Sequence, residues 1–193
     1  MRRPSGTKKA ETHERILRHA AAAIRRHGYD GVSVAEIMKE AGLTHGGFYA
    51  HFDSREAMLT EALERAGAES MENLSRAADA DPSRDPLESL VAAYLSDGHA
   101  GSPERGCTLA ALGSETRRQG PAVRRAATRR IKESADLIER QMPDWGERHE
   151  DALAVLSCLV GAVTIARSTD DQALSRAVRK AAARLIRRAV SRN

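Results

Sequence analysis

Thr44, Tyr49, His51 and Arg55, with Ser33 a little upstream, form a run of hydroxyls and basic groups suited to gripping phosphates. A hydroxyl that opens a helix offers its own O–H and the free backbone amides beside it to an anion, helped by the helix dipole. Tyr49 is an amphipathic ring whose hydroxyl can reach a backbone phosphate, and His51, Arg55 and Ser33 are further phosphate candidates. Such contacts fix register on a nucleic acid and read no sequence. Base reading would fall to His45, Gly46 and Gly47, at the exposed start of the same short helix. Each glycine costs about 1 kcal/mol in a helix relative to alanine. Either the backbone comes close to a groove floor there, or the pair loosens the turn. His45 can meet a guanine edge or a phosphate.

The elements that must position these groups follow from periodicity and caps. An apolar stripe, Ile16, Leu17, Ala20, Ala23 and Ile24, predicts a first helix from about Thr12 to His27, ended by Gly28. Ser33 with Glu36 makes a capping box for a short second helix, Val34 to Glu40, which Gly42 stops. Thr44 caps a third helix, His45 to about Phe52, and Asp53 with Glu56 opens a fourth that runs to about Ala78. Ala35, Ile37, Met38, Ala41, Leu43, Phe48 and Phe52 fall at spacings that face the first helix and form the core of a small domain. Two short helices joined by a glycine turn behind a longer support are the parts of a helix-turn-helix.

Beyond two prolines near residue 84 the expected helices are Leu87–Ser96, Cys107–Arg117, Pro121–Gln141, His149–Arg167 and Asp171–Val190, with 97–106 as a loop. Aromatics make up only 3% of the chain, and no period-two run of β-branched residues occurs. The fold class is therefore all-α with about nine helices. Residues 1–10 carry four basic side chains, Pro4 and Gly6 without an acid, a composition expected of a mobile arm.

Charge is distributed unevenly. Residues 1–55 hold ten basic and six acidic side chains, whereas the remainder is balanced, so a polyanionic partner is expected for the head. Two cysteines are too few for a disulfide framework or a structural zinc site, and no uninterrupted apolar stretch reaches the roughly 20 residues of a bilayer span. A cytoplasmic protein without membrane association, cofactor or metal is expected. The seven histidines show no metal-ligand spacing, and neither a phosphate-cradling glycine loop nor a nucleophile elbow is present, so an enzyme is disfavoured. A basic helical module for membranes or proteins would explain the charge but not the ordered run from Ser33 to Arg55.

The string VSVAEIMKEAGLTHGGFYAHFDSREAML, residues 32–59, resembles the DNA-binding signature of the TetR family of repressors. Ser33, Gly42, Thr44, Gly47, Phe48, Tyr49, His51, Phe52 and Arg55 occupy the family's recognisable slots. The resemblance implies a helix-turn-helix over 11–55, a double-stranded operator as partner, and an effector-binding and dimerisation domain over 56–193. Its effector pocket would lie among the middle helices, for which Tyr94, His99, Cys107, Leu112, Met142 and Trp145 are candidates. Its last two helices would pair with a second copy, through Leu156, Leu159, Val160, Val163, Leu174, Val178 and Leu185. The expectation is a dimeric repressor of a near-palindromic site, released by a small molecule. GCTLAALGSE also resembles a segment of TetR-type regulators that sense oxidants or electrophiles through a cysteine. Cys107, after Arg105 and at a helix start, is the alternative trigger, and a quiet buried thiol is the plainer reading.

Overall fold

A computed structural model of the chain describes residues 5–142 and 148–190. Among them are nine α-helices and two short 3-10 helices, with no strand. The all-α expectation stands.

The helix α1 (Ser5–His27) buries Ile16, Leu17, Ala20 and Ile24 along one face. It begins well before Thr12, so residues 5–10 are helical where a mobile arm is expected, and Thr12 donates to the carbonyl of Lys8 inside that turn. Lys8, Lys9 and Ala10 are sound helix formers with no glycine among them, and the helix simply continues through them, exposed. Residues 1–4 lie outside the described residues. Gly28 ends α1 at φ +77°, a conformation other residues rarely adopt.

The second helix, α2 (Val34–Glu40), is capped as expected: Ser33 accepts from the Glu36 amide at 3.1 Å. Its end is a Schellman turn in which Gly42 stands at φ +70°, Leu43 N–H donates to Met38 and Gly42 N–H to Lys39. The next element is not an α-helix but a 3-10 helix, His45–Ala50. Gly46 and Gly47 supply neither propensity nor side-chain packing, and so short a segment takes the tighter winding. Ala35 is exposed rather than part of the core, while Ile37, Met38, Ala41, Phe48 and Phe52 are buried and Leu43 packs against them.

The long α3 (Arg55–Ala78) is capped by Ser54, whose hydroxyl accepts from the Ala57 amide at 3.0 Å, and not by Asp53. It carries Met58, Leu59, Ala62 and Leu63 into the head's core. Packing does not break near residue 56, because that same core also takes in Leu112, Val123 and Ala126 from farther along the chain.

The body continues with α4 (Pro86–Tyr94), α5 (Asp97–Gly101), a 3-10 turn (Pro103–Arg105), α6 (Thr108–Thr116), α7 (Pro121–Arg140), α8 (Arg148–Arg167) and α9 (Gln172–Val190). The expected loop at 97–106 is thus half helical, since Ser96 caps α5 through the His99 amide at 3.1 Å. A second core gathers α4, α7, α8 and α9 around Leu90, Tyr94, Ala135, Ala152, Leu159 and Val163. By length and composition α8 is apolar enough to cross a membrane, although one face is built into this core. Its other face carries Leu153 and Ile165 exposed, so α8 is apolar on two sides.

Candidate nucleic-acid interface

The outer surface of the 3-10 helix is open. Thr44, His45, Gly46, Tyr49 and Ala50 are all exposed, and Tyr49 is 73% exposed. Thr44 sits at the N-cap position without a side-chain capping bond, which leaves its hydroxyl available to a phosphate. The Tyr49 ring is braced edge-on by buried Phe48 at 5.2 Å, and Phe48 stacks in turn on Phe52 at 5.5 Å. The ring is therefore aimed outward from a rigid base.

The two glycines are not demanded by the chain's own packing. A Cβ on Gly46 would meet nothing within 4 Å, and one on Gly47 would make ordinary contact with Met38 at 3.6 Å. Neither has positive φ. Their smallness is not required by any contact within the described residues.

Three of the sequence-predicted contacts are turned elsewhere. Arg55 donates through Nη2 to the carbonyls of Tyr29 and Val32, tying α3 to the turn after α1. Its guanidinium is a brace in this structure, because those carbonyls lie in the turn between α1 and α2 and have no helical partner. His51 is half-buried beside α1, its ring 6.0 Å from that of His13, and its Nδ1 is buried without a partner. Burial, then the nearby His13 and Lys9, hold its pKa below the ordinary histidine value, so it is a poor cation for a phosphate. The Ser33 hydroxyl, exposed as expected, donates to Glu36 at 2.8 Å while it caps α2. Exposed Lys8 and Lys9 on α1 and Lys39 on α2 supply positive charge in the head.

The turn that follows α1 is gripped from the body. Glu115 of α6 accepts from the Tyr29 amide at 3.0 Å, and the Tyr29 hydroxyl lies 3.4 Å from Thr116. At the other end of α6, Tyr94, His99 and Cys107 come together. His99 Nε2 accepts from the Cys107 amide at 3.0 Å, and its Nδ1 is 2.5 Å from the Tyr94 carbonyl. The ring donates through Nδ1 and accepts through Nε2, so it is neutral. Burial depresses its pKa accordingly. Cys107 is buried, and the cavity beside it and Tyr94 holds about 20 Å³. Leu112 belongs to the head's core instead, Met142 borders a separate groove between α8 and α9, and Trp145 lies outside the described residues.

The predicted dimer residues divide in the same way. Leu156, Leu159 and Val163 are buried in the chain's own core and cannot face a second copy, because a heptad-like stripe on α8 serves α4 and α7 first. Leu174 and Leu185 are 49% and 62% exposed, and Val160 and Val178 are half-buried. With Leu153 and Ile165 they form an apolar face across α8 and α9.

Comparison with known proteins matches residues 16–62 to the family described as bacterial regulatory proteins, tetR family. A 90-residue segment is 29% identical to the uncharacterized HTH-type transcriptional regulator YerO of Bacillus subtilis, covering 45% of this chain and 31% of that protein. The matched segment thus spans about a third of that relative's length. In fold the chain is similar to a TetR transcriptional regulator from Chloroflexus aurantiacus, with a TM-score of 0.79, 22% identity and coverage of 97% and 98% of the two chains. It is also similar to E. coli NemR in its reduced form, with a TM-score of 0.76, 20% identity and coverage of 91% and 95%.

Proposed function

We propose that the chain, whose residues 16–62 match the TetR family of bacterial regulatory proteins, is a helix-turn-helix transcriptional regulator of that family and a dimeric repressor of a near-palindromic operator, released by a small molecule. The observation that carries the reading is the open outer surface of the 3-10 helix. The side chains of Thr44 and Tyr49 stand there with no internal hydrogen bond, beside two glycines whose smallness the packing does not require. In this reading Thr44 and Tyr49 clamp phosphates, His45 reads a base edge, and Gly46 and Gly47 let the backbone approach the groove.

Dimerisation is assigned to the α8–α9 face, through Leu153, Ile165, Leu174 and Leu185 with Val160 and Val178 at its edges. An apolar surface of this kind is costly to leave in water and suits a second copy of itself. Selection of binding duplexes from a random pool tests the proposal. Two inverted half-sites about 10 base pairs apart, or a multiple of that, are expected. A single asymmetric site, or Leu185→Glu with Ile165→Glu leaving the mass in solution at two copies, would contradict it.

A second reading, oxidation at Cys107, is favoured by one feature. The small void beside the thiol accommodates an added oxygen atom but no organic electrophile. Peroxide would convert the thiol to sulfenic acid with loss of water. Loss of DNA binding on peroxide treatment, absent in Cys107→Ser, is the expected result of that reading.

A further inference from the structure

A polar cleft of about 730 Å³ opens where α1, α6, α8 and α9 converge. Four arginines line it, Arg25, Arg167, Arg176 and Arg179, against one carboxylate, Asp97. Hydroxyls of Ser114 and Ser168 stand among them.

The arginines are unevenly satisfied. Arg25 is buried and fully used: it donates to Glu69 at 2.9 Å, to the Ala21 carbonyl at 3.0 Å and to the Gly106 carbonyl at 3.3 Å. Arg179 is only 7% exposed. It donates to the Leu95 carbonyl at 2.8 Å and to Asp97 at 2.6 Å, yet its Nε is buried with no partner. Arg167 meets only carbonyls, those of Ala100 at 3.0 Å and His99 at 2.8 Å, and its Nη1 is likewise buried and unpartnered. It pairs with no carboxylate among the described residues, and Glu104 acts on it only through space. Burial works against its charge. Arg176, exposed at the mouth, adds a further cation.

Buried guanidinium N–H groups without acceptors cost free energy, and a planar fork that lacks its carboxylate is matched by an oxyanion from outside. The α8–α9 turn adds the polar side chains of Thr169 and Gln172 to the lining, in which Asp97 is the one carboxylate. We propose that this cleft binds a small polar molecule through a phosphate or carboxylate group held by Arg167, Arg176 and Arg179. The site is distinct from the closed cluster at Tyr94 and Cys107. It lies at the seam where the body meets α1, the helix that carries the head. The binding claim stands independently of whether occupancy releases DNA.

The probe is inorganic phosphate, titrated against the full-length protein at constant ionic strength with chloride as balance, with citrate as the carboxylate arm. Melting temperature and the arginine Nε–H resonances are followed together. A saturable rise of a few degrees is expected for at least one of the two anions, with the Nε–H signals of Arg167 and Arg179 shifting over the same concentration range. Arg176→Gln, at an exposed position, keeps the unliganded melting temperature and weakens the response at least fivefold. Arg167→Lys keeps a charge but loses the fork, and weakens it as well. The head could itself take up phosphate, so Tyr49→Ala serves as the control and leaves the response intact. The proposal is overturned if neither anion gives a saturable response, if both arginine variants respond as the parent does, or if the response disappears with Tyr49→Ala.

Discussion

The outer surface of the head and the seam between α1 and α6 are built from similar side chains and use them in opposite ways. On the head, the side chains of Thr44, His45 and Tyr49 are exposed and make no hydrogen bond among the described residues. At the seam, Arg25 and Glu115 spend polar groups on backbone partners far away in sequence, and His99 spends both ring nitrogens on the backbone of Tyr94 and Cys107. One surface leaves its side-chain polar groups unsatisfied, and the other holds two parts of the chain in register. A residue's type therefore says less about its task than whether its hydrogen bonds close internally.

The strongest way to break this contrast is to remove what stiffens the head. Phe48→Ala deletes a ring that is 2% exposed and stacked on Phe52, and should lower unfolding free energy by about 3–5 kcal/mol in urea titration. Arg25→Met attacks the seam instead. It leaves Glu69 unpaired and frees the Gly106 carbonyl, at a cost of about 2 kcal/mol, smaller than for a fully buried pair because Glu69 is partly exposed. Equal stability of Arg25→Met and the parent would mean that the seam is held by apolar packing alone.

Ser54→Ala should cost about 1 kcal/mol, whereas Asp53→Ala should cost little, since the Ala57 amide is held by Ser54. The smallest effect concerns pH. His99 has a folded pKa below its unfolded value, so as pH falls below about 6.5 the unfolded chain takes up a proton that the folded one refuses. Stability then declines with falling pH, by at most about 1.4 kcal/mol per unit, until the folded pKa is reached. His99→Gln should flatten that acid limb when unfolding is compared at pH 7.5 and 5.5; an unchanged slope would place the titration elsewhere, with His51 as the first suspect.

The head was legible because each of its recognisable slots answers to a local constraint. Gly42 must adopt positive φ to end α2, Ser33 must cap it, and Phe48 and Phe52 must fill the space under α1. Those requirements act over a few residues and leave a pattern in the string. The 3-10 winding at His45 was not legible, because it depends on two glycines that pack against almost nothing. The internal partners of Arg55 and the burial of His51 were not legible for a related reason. The chemistry of both side chains suits a phosphate, but the carbonyls of Tyr29 and Val32 and the side of α1 reach them first, from a different part of the chain.

The body hid more. Arg179 meets Leu95, and Arg167 meets Ala100, across long stretches of sequence with no spacing to mark the pairs. Leu112 reads as pocket or core equally well until α6 is seen to reach the head. Likewise α8 is apolar on two sides, so its sequence cannot tell Leu156, which faces α4 and α7, from Leu153, which faces out.

The most direct test of the DNA-binding reading is the salt dependence of affinity for a selected duplex, measured by fluorescence anisotropy on the parent and on Tyr49→Ala. The parent should show log affinity falling linearly with log salt, as phosphate contacts release counterions. Tyr49→Ala should bind about tenfold more weakly while melting close to the parent's temperature, since its ring is 73% exposed and touches the core only edge-on at Phe48. A flat salt response, or undiminished affinity in Tyr49→Ala, would contradict the assignment of the open 3-10 helix as the surface that meets DNA.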